Sequence, residues 1–209
     1  MNVRQIGITA TILLLFAVIG TAMVAATYEG TRDRIAANER ETPLRKLNQL
    51  IPPGSYDNEL LDDSIELPAG ELADRPLRVY RARLQGQPVA VVMNTIAPDG
   101  YSGSIHLLVG INHDGTVAGV RVVAHRETPG LGDGIDEERS DWIYGFNGRS
   151  LDDPTSARWA VRKDGGVFDQ FTGATISPRA VVKAVHAALL YYRAHRDALF
   201  APADVPETP

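Results

Sequence analysis

Ile6 to Thr27 runs for 22 residues without a charged side chain, with Ile12, Leu13, Leu14, Leu15 and Phe16 at its centre. A backbone surrounded by hydrocarbon must satisfy its own hydrogen bonds, so a stretch of this kind is restricted to a helix. About 20 apolar residues suffice to cross a bilayer core. A cleaved secretory signal is the rival reading, because Ala22 to Ala26 supplies small residues for cleavage. The run is longer than a typical signal core, and Arg4 is the only basic residue before it, which favours a retained anchor. Charge does not decide the orientation. Arg32, Arg34, Arg40, Arg45 and Lys46 follow the span, which by simple count places the following domain in the cytoplasm. That rule weakens before a long domain, and Glu29, Asp33, Glu39 and Glu41 are mixed in.

The rest of the chain has the composition of a folded domain. At 209 residues, with 44% apolar and 22% charged side chains, it suits one domain of ordinary size and a second small element. A net charge of −5 gives no whole-chain footprint for nucleic acid, and none is expected as a partner. The absence of cysteine excludes disulfides, thiolate-ligated iron–sulfur clusters and a cysteine nucleophile. Redox chemistry in this chain therefore requires a bound cofactor.

Residues 28 to about 50 read as a helix with Ile35, Leu44, Leu47 and Leu50 on its apolar stripe. An interruption is expected near Pro43 and a stop at Pro52-Pro53-Gly54. Residues 54–75, rich in Asp, Glu, Gly and Pro, read as an irregular or short-helical connector. Strands follow at Leu77–Leu84, Pro88–Met93, Ile105–Ile111 and Val117–Val123. The last two are joined by Asn112-His113-Asp114-Gly115, a hairpin signal in which His113 is a solvated turn residue. Asp99 to Ser104 is a glycine-rich turn and a candidate ligand-contact loop. Asp141 to Phe146 reads as a short helix or strand of core aromatics, and Trp159 to Lys163 as a strand ending at Asp164-Gly165-Gly166. The fold class expected is α+β, a single transmembrane helix followed by a mainly antiparallel sheet with flanking helices. The divisions expected are an anchor over 1–27, a juxtamembrane helix and connector over 28–75, a ligand-binding domain over 76–199 and a disordered tail over 200–209.

Two segments carry the chemistry. In His125-Arg126-Glu127-Thr128-Pro129-Gly130-Leu131-Gly132-Asp133-Gly134, three glycines in five residues imply unusual dihedrals and an exposed backbone. Their spacing, G-x-G-x-G with no following lysine, is a weak match to a phosphate loop. His125 lacks the companion ligands a metal needs, so no metal site is expected. Glu127 is placed to accept hydrogen bonds, either from a ligand's ring edge or from loop amides. The second segment, Asp169 to Pro178, ends in Ser177 as the expected N-cap and Pro178 in the first turn of a final helix. That helix continues through Val181, Val185, Ala188, Leu189 and Tyr192 to near Leu199. A hydroxyl just before a helix start, beside the small Gly173 and Ala174, suits a phosphate.

The pattern Asp169-x-x-Thr172-Gly173-Ala174-Thr175 resembles the flavinylation motif of FMN-binding domains in the Rnf and Nqr membrane electron-transport complexes. Thr172 stands where serine is frequent and keeps the hydroxyl. The segment His125-x-Glu127-Thr128-Pro129-Gly130-Leu131-Gly132 is similar to the loop of the same domain that lies against the flavin. The resemblance covers nearly the whole chain. It is closest to the G-subunit family of the ion-translocating Rnf (Rsx) electron transport complex, and more distant from the C-subunit family of the sodium-pumping NADH:quinone reductase. It implies one covalent FMN per chain, esterified to Thr175. It also implies flavin contacts from Thr172, Gly173, Ala174, Ser177, Glu127, Thr128, Gly130, Leu131 and Gly132, with no catalytic residue and no metal in this chain. Threonine is a poor nucleophile and no base stands beside it in the sequence, which argues against self-attachment. The family implies instead a separate flavin transferase using FAD and a metal ion. The remaining implications are partner subunits of the complex, lipid around the anchor, and a bacterial inner membrane with the large domain on the periplasmic side. The chain would relay electrons in a complex that exchanges them between NADH and ferredoxin and couples this to ion translocation. An anchored protein with dissociable FMN and a flavin-free scaffold are the alternatives.

Overall fold

The structure is a computed structural model and describes residues 3–70 and 72–201. Its elements are α1 (Val3–Leu50), β1 (Ser64–Leu67), β2 (Leu77–Leu84), β3 (Gln87–Ala97), β4 (Ile105–Asn112), β5 (Val117–Ala124), four short 3₁₀ turns between Gly132 and Asp164, and α2 (Ile176–Phe200). The chain divides into two compact units, Met1–Pro43 and Leu44–Pro209.

In the first unit, Ala10–Gly30 is a helical stretch of 21 residues with mean hydropathy 2.2 and none of its side chains buried. It is long and apolar enough to cross a membrane. The hydroxyls of Thr11 and Thr27 donate to the carbonyls of Gly7 and Met23, each at 2.9 Å, so these polar groups are satisfied within the helix itself. Pro43 does not interrupt α1 as the sequence suggests. It removes one backbone donor, and the helix runs on to Leu50.

In the second unit, five antiparallel strands pair in chain order, β1-β2-β3-β4-β5. β3 sits at the centre and is buried on both faces. This is why Ala90-Val91-Val92-Met93 reads as a continuous apolar run and does not alternate. On one face Val79, Val91, Met93, Val109, Ile111 and Val120 pack with Val181, Val185, Ala188 and Leu189 of α2. On the other face Ala82, Ala90, Val92 and Leu108 pack with Leu47, Leu50, Ile51 and Leu60. Gly110 and Gly119 are register partners beneath Leu50. A Cβ on Gly119 would lie 2.9 Å from Leu50 Cδ2, and one on Gly110 3.3 Å from Leu50 Cβ. The paired glycines therefore form the notch that Leu50 fills.

Two expectations are corrected. The connector expected over 54–75 contains β1, an edge strand in register with β2 from Ser64↔Tyr80 to Leu67↔Leu77. Asp63 fixes its start: Arg81 Nε donates to Asp63 Oδ1 at 2.5 Å and Arg83 Nε to Asp63 Oδ2 at 2.9 Å. Trp159 to Lys163 forms no strand. It follows one 3₁₀ turn (Ser156–Arg158) and runs into the next (Arg162–Asp164) with a single bridge, Val161↔Phe168, because Trp159 turns inward and its Nε1 donates to Ser150 O (2.9 Å) and Pro154 O (3.1 Å). Asp141–Phe146 is a 3₁₀ turn with Phe146 fully buried. α2 ends at Phe200. Of the tail expected over 200–209, residues 202–209 lie outside those described.

Leu50→Ala is expected to cost about 2–5 kcal/mol, because the glycine notch cannot collapse to fill the void. Denaturant unfolding of the whole chain in detergent measures this. A second prediction concerns pH. Burial, and then Arg193, holds the pKa of His186 below 6.5. His186 is half-buried, stacks on Trp159 and places Nε2 2.8 Å from Ser156 Oγ. As pH falls below about 6.5 the unfolded chain takes up this proton before the folded one, so stability declines toward the folded pKa. Thermal melts across that window should show a smaller decline in His186→Gln.

Candidate functional site

Thr175 occupies the N-cap position of α2 with helical dihedrals (φ −75°, ψ −24°), and its side chain makes no capping hydrogen bond. Ser177, the cap expected from sequence, is instead the second helical residue and is 1% exposed. Its hydroxyl turns inward and donates to Glu127 Oε2 in a short hydrogen bond. A buried carboxylate needs donors more than a helix start needs a side-chain cap, and this decides the rotamer. Pro178 then falls at the third helical position, within the turn whose N–H groups have no intrahelical partner, so its missing donor costs little.

Glu127 is 4% exposed. Its Oε1 accepts the Ser102 N–H at 3.0 Å, its Oε2 accepts the Ser177 hydroxyl, and its own N–H donates to His125 Nδ1 at 3.1 Å. Three segments thus meet at one carboxylate: the turn after β3, the loop after β5 and the start of α2. Of the two roles open to Glu127, this geometry supplies the loop-amide one. Two glycines make the approach possible. A Cβ on Gly132 would lie 2.6 Å from Ser177 Oγ and 2.8 Å from Glu127 Oε2, and one on Gly100 only 3.0 Å from Glu127 Oε1.

The outer surface of this junction carries the other residues singled out in the sequence. The N–H groups of Leu131 and Gly132 both donate to Thr128 O at 3.1 Å, and Gly130 has φ +77°. This turn leaves the Leu131 side chain 49% exposed. Gly173 has φ +81°, and its Cβ position lies 3.9 Å from Leu131 Cδ2, so the loop and the Thr-Gly-Ala-Thr segment are neighbours. Thr172 and Gly173 are exposed and Ala174 and Thr175 partly so, while Ile176 is 43% and Tyr101 68% exposed.

Sequence reasoning placed Ser102 in a candidate ligand-contact turn without linking it to Glu127, and read Trp142 as a core aromatic without linking it to Asp169. Trp142 Nε1 donates to Asp169 O at 2.8 Å, and its ring lies 5.4 Å from that of Phe171, so one aromatic side chain holds the approach to Thr172. Ala174 N–H then closes the turn onto Phe171 O at 3.1 Å. The Asp169 carboxylate pairs with Arg162 at 3.0 Å, both largely exposed. Arg179 holds both oxygens of Asp164, at 2.6 and 2.9 Å, and its N–H donates to Thr175 O at 3.2 Å. His125 Nε2 lies 3.7 Å from Asp136. Among the described residues no group of three or more His, Cys, Asp or Glu is arranged to hold a metal ion.

Gly132→Ala is expected to force the Ser177–Glu127 contact apart at a cost of about 1–3 kcal/mol. Gly145→Ala, where nothing lies within 4 Å of the new methyl, should stay within about 0.5 kcal/mol of wild type. Unfolding midpoints of the two variants test the difference.

Residues 100–190 match the family described as the FMN-binding domain, and residues 1–50 match the RnfG N-terminal region. The G subunit of the ion-translocating oxidoreductase complex of Pseudomonas aeruginosa is 54% identical over 195 residues, covering 92% of this chain and 91% of the relative. The protein of the same name in Pseudoalteromonas atlantica is 50% identical over 191 residues, covering 90% and 89%. That of Vibrio cholerae is 49% identical over 189 residues, covering 90% of each. These likenesses span the apolar helix and the sheet domain alike, and on them the chain belongs to the G-subunit family of ion-translocating oxidoreductase complexes.

Proposed function

We propose that this chain is the membrane-anchored flavoprotein subunit of an ion-translocating oxidoreductase complex, and that it relays electrons through one FMN joined by a phosphoester to Thr175 Oγ1. The observation that carries this reading is the state of Thr175. The residue is partly exposed, its side chain makes no capping bond, and it stands immediately before a 25-residue helix. The surroundings fit a phosphate carrying a planar ring. The first amides of α2 and the helix dipole favour negative charge at that end. Gly173 and Ala174 leave the backbone open, while Leu131, Ile176 and Tyr101 expose apolar surface nearby.

In this reading Thr175 holds the cofactor and Thr172 offers a second hydroxyl. Thr128, Gly130, Leu131 and Gly132 form the loop beside it, and Ser177 and Glu127 hold that loop against α2. Bound FMN supplies one- and two-electron transfer, which no side chain of this cysteine-free protein provides. Among the described residues no carboxylate or imidazole is hydrogen-bonded to the Thr175 hydroxyl, so the chain does not activate its own nucleophile. A separate flavin transferase would attach FMN from FAD: the Thr175 hydroxyl loses its proton, its oxygen bonds to the FMN phosphorus, and AMP leaves. A metal ion in that reaction belongs to the transferase. A relay that must not lose its cofactor, on a side of the membrane with little free FMN, is well served by an ester that cannot dissociate.

The remaining parts of the reading follow from the family. The flavin-carrying region is 76–199, on the periplasmic side of a bacterial inner membrane, with lipid around the Ala10–Gly30 stretch. The partners are the other subunits of an Rnf-type complex that exchanges electrons between NADH and ferredoxin and moves ions in step. The chain is a carrier within that complex and carries no nicotinamide fingerprint of its own. The test is flavin fluorescence in a denaturing gel after co-expression with a flavin transferase. Wild type should give a fluorescent band and Thr175→Val a dark one. A dark wild-type band, with the transferase active on a control protein, would sink covalent attachment. Visible absorption retained or lost on denaturation and filtration would then separate dissociable FMN from a flavin-free scaffold.

A further inference from the structure

Four charged side chains are buried in the described residues: Arg81, Arg121, Glu127 and Asp133. Three of them have an opposite charge at hand. Arg81 is bound to Asp63, Arg121 Nε lies 3.8 Å from Glu137, and Arg139 Nε lies 3.6 Å from Asp133. Glu127 is the exception, since none of the ion pairs between described residues includes it. Its carboxylate is held by neutral donors alone, the Ser102 amide and the Ser177 hydroxyl, and both oxygens act as acceptors. Burying a charge without a counter-ion is costly, and the hydrogen bonds do not require it. A glutamine in the same place would accept from Ser102 through its amide oxygen and donate to Ser177 Oγ through its amide nitrogen. The latch therefore explains the shape of this side chain but not its charge.

We propose that Glu127 is a positioning residue whose uncompensated buried charge holds down the reduction potential of the flavin carried at Thr175. This rests on the covalent-FMN reading above. Ser177, which Glu127 binds, is two residues along α2 from Thr175, and Gly132 of the adjoining loop packs on the same carboxylate. A fixed anion in a poorly solvated junction opposes the arrival of further negative charge, and it is screened less than a surface charge. The electrons that a bound flavin takes up would come from a reduced donor outside this chain, and Glu127 would keep both hydrogen bonds throughout. It acts through the field alone.

The experiment is a potentiometric titration with dithionite of the full-length, flavinylated chain in detergent, comparing wild type with Glu127→Gln in low and high salt. Flavin incorporation is read on a denaturing gel and folding by thermal melting. The expected result is a Gln variant with wild-type incorporation, a melting temperature at or above that of wild type, and a midpoint potential displaced upward, the displacement persisting in high salt. An unchanged potential would overturn the proposal, as would a Gln variant that incorporates less flavin or melts early, because the carboxylate would then serve assembly. Glu127→Ala should lower the melting temperature as well, separating the latch from the charge. A wild type without flavin overturns both this inference and the reading beneath it, whereas a flavinylated wild type with an unmoved variant overturns only this one.

Discussion

A helix lying on a sheet can slide or turn unless its ends are fixed, and the geometry of this domain depends on α2 being fixed at both. At its start the Ser177 hydroxyl is bound to Glu127 inside the protein. At its finish Arg83 Nη2 donates to Phe200 O at 2.8 Å and Arg81 Nη1 to Ala201 O at 2.5 Å, placing cations at the negative end of the helix. The same two arginines are bound to Asp63 at the entrance to β1. The edge of the sheet and the end of the helix are therefore settled together, and the apolar ridge of Val181, Val185 and Leu189 between them has one seat on β3 and β4.

With α2 fixed, the surface at Thr175 follows. The turn after β3 and the loop after β5 leave the sheet at the same end, and Glu127 draws both toward the first turn of the helix. The polar contacts are turned inward, while Leu131, Ile176 and Tyr101 face outward. Trp142 plays the matching part for the segment that arrives from the other side, at Asp169 and Phe171.

Much of this was legible in the sequence where the signal is local. β2 has the expected bounds, and the Asn-His-Asp-Gly hairpin joins β4 and β5 as its turn residues imply. The Thr-Gly-Ala-Thr segment does precede a long helix, and Gly173 takes the left-handed conformation that its place in the turn requires. What was not legible is what distant partners decide. Ser-Ile-Glu-Leu is too short and too mixed to announce a strand, and becomes one because Leu77 to Tyr80 lie beside it. Trp159 to Lys163 has strand-forming residues but, among the described residues, pairs only through the single bridge from Val161 to Phe168. Ser177 looks like a cap until Glu127, fifty positions earlier, is brought against it. Glu127 itself names two possible partners in the sequence, and only the fold brings one of them, the Ser102 amide, within reach.

The second face of the sheet is completed by Leu47, Leu50 and Ile51, which belong to the end of α1 and its exit. Where the chain can be cut is therefore displaced from where it stops being apolar. Severed between Pro43 and Leu44, the sheet domain retains every layer it is built from. Severed after the helix ends at Leu50, it is left with a bare slot over Gly110 and Gly119. A protease, or a biochemist preparing a soluble fragment, thus meets a boundary drawn by packing rather than by hydropathy, several residues before the proline pair that marks the end of the helix in the sequence.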